Sequence, residues 1–89
     1  MGTPELRSRL LAILAADAAG YSRLMAFDDR ATVAALDAAR AVFREHIAAH
    51  GGRVIDTAGD SVLAVFDTAA GAVTAALGAQ QQLADCAAC

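Results

Sequence analysis

The stretch Leu10–Ser22 constrains the fold more than any other: an apolar run, Leu10 to Ala16, ends on a single carboxylate, Asp17, followed shortly by Gly20. An unbroken apolar run of this length suits a central strand covered on both faces and predicts a strand over 9–17. Alanine and leucine favour helix, so the acid–glycine stop decides the assignment. Gly20-Tyr21-Ser22-Arg23-Leu24-Met25 then forms a short helical turn. A strand that delivers a carboxylate to its own end, beside the free N–H groups of a helix start, offers a place for a metal ion carrying phosphate. Whether it is such a place depends on a second acid arriving there from elsewhere in the chain.

Asp28-Asp29 supply an N-cap and an acidic first turn for a long helix over about 29–49. Val33, Leu36, Phe43 and Ile47 form its apolar stripe, widened by Ala35, Ala39 and Val42. Arg44, His46 and His50 crowd its last turns, where positive charge is favourable, and Gly51-Gly52 supply the stop. That position accounts for both histidines without a ligand or catalytic role. Two β-prone runs, 53–58 and 61–66, are separated only by Gly59-Asp60, which predicts a tight hairpin. Asp67-Thr68 cap a last helix over about 69–84, whose expected apolar face is Val73, Ala76, Leu77, Leu83 and Ala84. The order is β-α-α-β-β-α with a three-stranded sheet, an α+β chain with most of a ferredoxin-like layout. An arm over 1–8, one domain over 9–84 and a tail over 85–89 complete the organisation, with no repeat or linker.

A chain of 89 residues forms one domain and buries roughly two-thirds of its unfolded surface. Alanine dominates its apolar content and the aromatics are Tyr21, Phe27, Phe43 and Phe66, so a closely packed, shallow core is expected. A net charge of −3, no lysine and scattered arginines argue against a nucleic-acid partner. The apolar run is too short to span a bilayer and too closely bounded by acid for a signal sequence, so a cytoplasmic protein without a membrane partner is expected. Cys86 and Cys89 have C-x-x-C spacing, but one such pair in an alanine-rich tail reads as free thiols.

In the β-α-α-β-β-α layout the third strand slots antiparallel between the first two. The first strand then ends, and the hairpin turns, at the same edge of the sheet. Asp17 and Asp60 are brought together there, with the helix start at Gly20-Tyr21 beside them. Singly, each acid has an ordinary reading as a cap or a turn residue. Together they suit Mg²⁺ or Mn²⁺ bound to a polyphosphate, because hard cations take oxygen ligands and keep substrate phosphates in their shell.

At these residues the sequence resembles the class III nucleotidyl cyclases, the adenylate and guanylate cyclase catalytic domains, especially their bacterial members. The resemblance is carried by Ala15-Ala16-Asp17-Ala18-Ala19-Gly20-Tyr21-Ser22-Arg23-Leu24-Met25, by His50-Gly51-Gly52-Arg53-Val54-Ile55-Asp56-Thr57-Ala58-Gly59-Asp60, and by Phe66, over about Arg9 to Leu83. It implies that Asp17 and Asp60 are metal-binding aspartates and that Ala18 adds a backbone carbonyl to one metal. It further implies that Ala19, Gly20, Tyr21 and Ser22 cradle the triphosphate of ATP or GTP.

The sequence departs from the family pattern at two places. The position four before the second metal aspartate usually holds a base-reading lysine or glutamate and here is Asp56. An ionised acid cannot donate to the adenine ring nitrogen, which leaves the choice between ATP and GTP open. The family also carries a second base-reading residue and a transition-state asparagine and arginine in later strands, whereas this sequence stops at Cys89. The resemblance thus implies the N-terminal half of a cyclase core, truncated and inactive by itself. The alternative is a non-catalytic dimerisation module with residual metal–nucleotide binding. The truncation leaves the edge of strand 10–16 open, so a homodimer through that edge, or a separate chain supplying the other half, is expected.

Overall fold

The computed structural model describes residues 10–18, 20–57 and 61–85, with Tyr21 described by its backbone only. The elements are β1 (Ala12–Asp17), α1 (Tyr21–Phe27), α2 (Asp29–Ala49), β2 (Gly52–Asp56), β3 (Ser61–Phe66) and α3 (Ala69–Asp85). The order β-α-α-β-β-α and the α+β class are as the sequence predicts. The sheet order is β1-β3-β2, with β3 antiparallel to both neighbours. β1 and β2 therefore run in the same direction, and their C-terminal ends lie at the end of the sheet where β3 begins. The arm at 1–8 and both cysteines of the tail lie outside the described residues.

Local chemistry sets the helix limits. The Asp28 carboxylate accepts from the Ala31 N–H at 3.1 Å and starts α2. Gly51, at φ 79°, takes the chain out of the helix in a left-handed conformation that costs glycine little. Gly52, expected with Gly51 as part of that stop, instead opens β2.

One face of the sheet builds the core. Val62, Ala64 and Phe66 of β3 pack with Phe43 and Ile47 of α2 and with Ala72, Ala75 and Ala79 of α3, and Leu14 and Val54 complete the layer from the outer strands. Among the described residues no helix lies over the opposite face, and Ile13 and Ile55 are 67% and 56% exposed.

Four expectations are corrected. β1 is shorter than 9–17 and is an edge strand whose residues alternate between exposed and half-buried, so it is covered on one face rather than two. The reason is that α1 packs on α2 and adds no layer to the sheet. β2 ends at Asp56, so Thr57 lies beyond the strand that the sequence predicts over 53–58, and the expected Gly59-Asp60 turn lies outside the described residues. The α2 stripe is buried only in its second half: Phe43 and Ile47 are buried, but Val33 lies exposed beyond the sheet. Finally, α3 is turned relative to its expected face. Ala72, Ala75 and Ala79 are buried, while Val73 and Leu77 are 56% and 65% exposed.

The rotation of α3 follows from how closely it approaches α2. A Cβ on Gly78 would lie 2.6 Å from Nδ1 of His46, and one on Gly71 would lie 2.8 Å from the His50 carbonyl oxygen. Such an approach admits only small residues, so the alanine and glycine side of α3 faces inward and the bulkier side faces out. The histidines are part of this joint. Nε2 of His46 lies 2.8 Å from Oε1 of Gln82, and the His46 and His50 rings stack with centroids 6.4 Å apart. Nδ1 of His50 donates to the His46 carbonyl at 2.9 Å.

Candidate functional site

Asp17 is the last residue of β1 and is exposed. Its carboxylate accepts from the Ala18 N–H at 3.0 Å, just past the end of the strand. Gly20, at φ 71° and ψ 20°, then starts α1 with no side-chain cap on the first N–H groups. Ser22 lies exposed in the first turn. Ala19 and the Tyr21 side chain fall outside the described residues.

The β1–β3 register sets Asp17 opposite Ser61. Asp60 lies outside the described residues, but it is bonded to Ser61. Antiparallel partners have Cα atoms about 4.5–5.5 Å apart and one peptide step adds about 3.8 Å. Asp17 is thus one ladder pair and one peptide bond away from Asp60 along the chain. Among the described residues no group of three or more His, Cys, Asp and Glu side chains is gathered to hold a metal. Two carboxylates plus phosphate oxygens and water remain a chemically sufficient donor set for Mg²⁺ or Mn²⁺.

Asp56 reaches the open face through an irregularity. The β2–β3 register shifts between Val54 and Asp56, so Val54 pairs with Ala64 and Asp56 with Leu63, leaving Ile55 as the extra residue of a bulge. In continuous register Asp56 would pair with Val62, whose side chain is 3% exposed in the core. The bulge moves the acid onto the row of Leu63 and Ala15, away from the helices, as bulges commonly re-aim a side chain.

A residue without a sequence-based role also enters the site. Arg40 lies on the α2 stripe, between Leu36 and Phe43, and its side chain is 18% exposed. Nη2 donates to the Thr57 carbonyl at 3.1 Å. A cavity of about 520 Å³ is lined by Asp17, Ala18, Leu36, Arg40, Phe43 and Leu83, among others. The signal for Arg40 was available, since an arginine on an apolar helical stripe must find a partner for its charge.

Over 85 residues, 94% of its length, the chain is 45% identical to a protein of Rhizobium meliloti (strain 1021) named "Putative adenylate cyclase 3". It spans 14% of that protein's length, so it is related to one stretch of it. No protein-family model matches the chain. Among the described residues no helix is long and apolar enough to cross a membrane.

Proposed function

We propose that this is a nucleotide-cyclase-related domain that binds a divalent cation with a nucleoside triphosphate through Asp17 and Asp60, and that does not cyclise the nucleotide by itself. The observation that carries this reading is the register that sets Asp17 opposite Ser61, the residue bonded to Asp60. The similarity to the Rhizobium protein supports it. Asp17, Asp60 and the Ala18 carbonyl would hold Mg²⁺ or Mn²⁺, and the turn at Ala19, Gly20, Tyr21 and Ser22 would meet the phosphates. When bound, the cation supplies charge neutralisation to the triphosphate. Asp56, at the end of β2, would be the residue that meets the base of ATP or GTP.

These 89 residues contain no asparagine, so the transition-state asparagine expected of the family has no counterpart among them. Removing one preorganised donor from a developing oxyanion commonly costs 10²–10³ in rate, so binding is expected to outweigh turnover in these residues by themselves. The outer edge of β1, which has no partner strand among the described residues, belongs to the same reading: its N–H and C=O groups would accept a second copy of this chain, or a chain bringing further strands.

The test is a titration of the chain with Mn²⁺, with and without ATP or GTP, followed by the electron paramagnetic signal of free Mn²⁺. Binding is expected, weakened at least about tenfold in Asp17→Asn and in Asp60→Asn, with no cyclic nucleotide formed. Equal Mn²⁺ binding by the wild type and both variants would overturn the reading.

A further inference from the structure

Among the described residues Arg40 is the sole Asp, Glu or Arg that is not exposed. Its side chain is 18% exposed, and its Nε atom is buried with no hydrogen-bond partner. A guanidinium carries five N–H donors in a rigid fork, and the protein uses only part of them. Nη2 donates to the Thr57 carbonyl at 3.1 Å, while the Asp37 carboxylate stands 4.0 Å from Nη1 and is 68% exposed, where water screens the pair. A half-answered cation on an apolar helix face asks for an anion.

The space beside Arg40 says what kind of anion. The cavity of about 520 Å³ that it lines is walled by Leu14 of β1, Leu36 and Phe43 of α2, Val62 of β3, and Ala76 and Leu83 of α3. That volume lies within the range of small-molecule sites, roughly 300–1,000 Å³. One guanidinium neutralises one charge, so a polyphosphate would set further charges against these apolar walls without a partner. Asp17 also borders the cavity, but it lies on the exposed row of β1 with Ile13 and Ala15, whereas Leu14 and Ala16 pack toward the helices. Strand alternation therefore sets its carboxylate toward the opposite face, away from the guanidinium. We propose that this cavity, between the sheet and the α2–α3 pair, binds a monocarboxylate with an apolar tail, its head on Arg40 and its tail among Leu14, Leu36, Phe43 and Leu83. The proposal does not rest on the reading of Asp17 and Asp60 as a metal pair.

The experiment titrates the whole isotope-labelled chain with octanoate, octylammonium and acetate and follows the amide signals by NMR. Octanoate is expected to bind with a Kd on the order of millimolar, as a ligand of its size commonly does. It should move the amides of Leu36, Arg40, Phe43 and Ala76 more than those of Ile13 and Ile55 on the open face. Octylammonium keeps the tail but reverses the charge, and acetate keeps the head without the tail; each is expected to bind at least about tenfold more weakly. Arg40→Met retains an apolar stem and removes every donor, so octanoate affinity is expected to fall about tenfold or more, the change that goes with losing a hydrogen bond to a charged group. Ala76→Phe fills the space with a ring and is expected to abolish binding while Arg40 is kept. Equal binding of octanoate and octylammonium by the wild type overturns the role of Arg40, and this arm holds even if Arg40→Met does not fold. Undiminished octanoate binding in Arg40→Met or in Ala76→Phe, or shifts confined to the open face of the sheet, overturns the site. No octanoate shift in the wild type up to roughly 10 mM overturns the proposal outright.

Discussion

Gly52→Ala separates two accounts of this fold, because they give its effect opposite signs. Gly52 starts β2 opposite Phe66, and a Cβ there would lie 2.5 Å and 2.7 Å from Cε2 and Cζ of the Phe66 ring and 2.8 Å from Cγ2 of Ile47. Carbon atoms pack best at about 3.5–4.0 Å, so three contacts fall short by roughly 1 Å. Phe66 and Ile47 are each 1% exposed, so neither can swing into solvent. Forcing a methyl into such a core costs about 1–3 kcal/mol, with the upper end expected because both neighbours are enclosed. For a domain of this size each kcal/mol lowers the melting temperature by about 4–8 °C, so a fall of about 10–20 °C is expected. Backbone freedom argues the other way. Among the described glycines only Gly20 and Gly51 have positive φ, so alanine at 52 meets no backbone strain. Reduced unfolded-state entropy alone would stabilise the protein by about 0.4–1 kcal/mol. Circular dichroism in thermal and urea unfolding reads the sign. Phe66→Leu removes the crowding ring atoms, so the double variant should lose less than the two single losses combined, with a coupling of about 1 kcal/mol or more. A Gly52→Ala protein as stable as the wild type, or additive losses in the cycle, would refute the packing argument.

The inverted packing of α3 makes Ala75→Leu destabilising by about 1–3 kcal/mol, while Leu77→Ser should change stability by less than about 0.5 kcal/mol. Urea unfolding checks the pair, and a larger effect at Leu77 would restore the face expected from the sequence. The open edge of β1 predicts a homodimer, which light scattering reads as twice the 9.0 kDa chain mass at micromolar concentration; a monomer would refute it.

The elements were legible because punctuation marks them. Asp28 caps α2, glycines end it, and apolar runs bounded by acids gave β1 and β3 within a few residues. The faces were less legible, because hydrophobicity and shape disagree in an alanine-rich chain. In α3 the larger apolar residues, Val73 and Leu77, form one stripe, and the small residues Gly71, Ala75, Gly78 and Ala79 form another. Hydropathy selects the first. Close approach to His46 and His50 selects the second, and the geometry of the joint decides. In β1 the continuous apolar run suggested two covered faces, but α1 packs on α2, and among the described residues no helix covers the second face. Asp17 could be read directly from the strand end. The placement of Asp56 could not, because a one-residue bulge has no period in the sequence and yet reverses which face a residue meets.

The bulge also bears on why acids gather where they do. β1 ends on Asp17, β2 ends on Asp56, and β3 is entered from Asp60. Because β1 and β2 run the same way with β3 antiparallel between them, Asp17 and Asp56 lie at the end of the sheet where β3 begins at Ser61. In regular register Asp56 would fall on the core row beside Val62, where an ionised carboxylate would pay a large desolvation cost. The fold gives up a regular ladder step at Ile55 and keeps the acid on the open face. An acidic strand end, a bulge that keeps an acid out of the core, and an arginine reaching from α2 to Thr57 are three independent features that converge on the same end of the sheet.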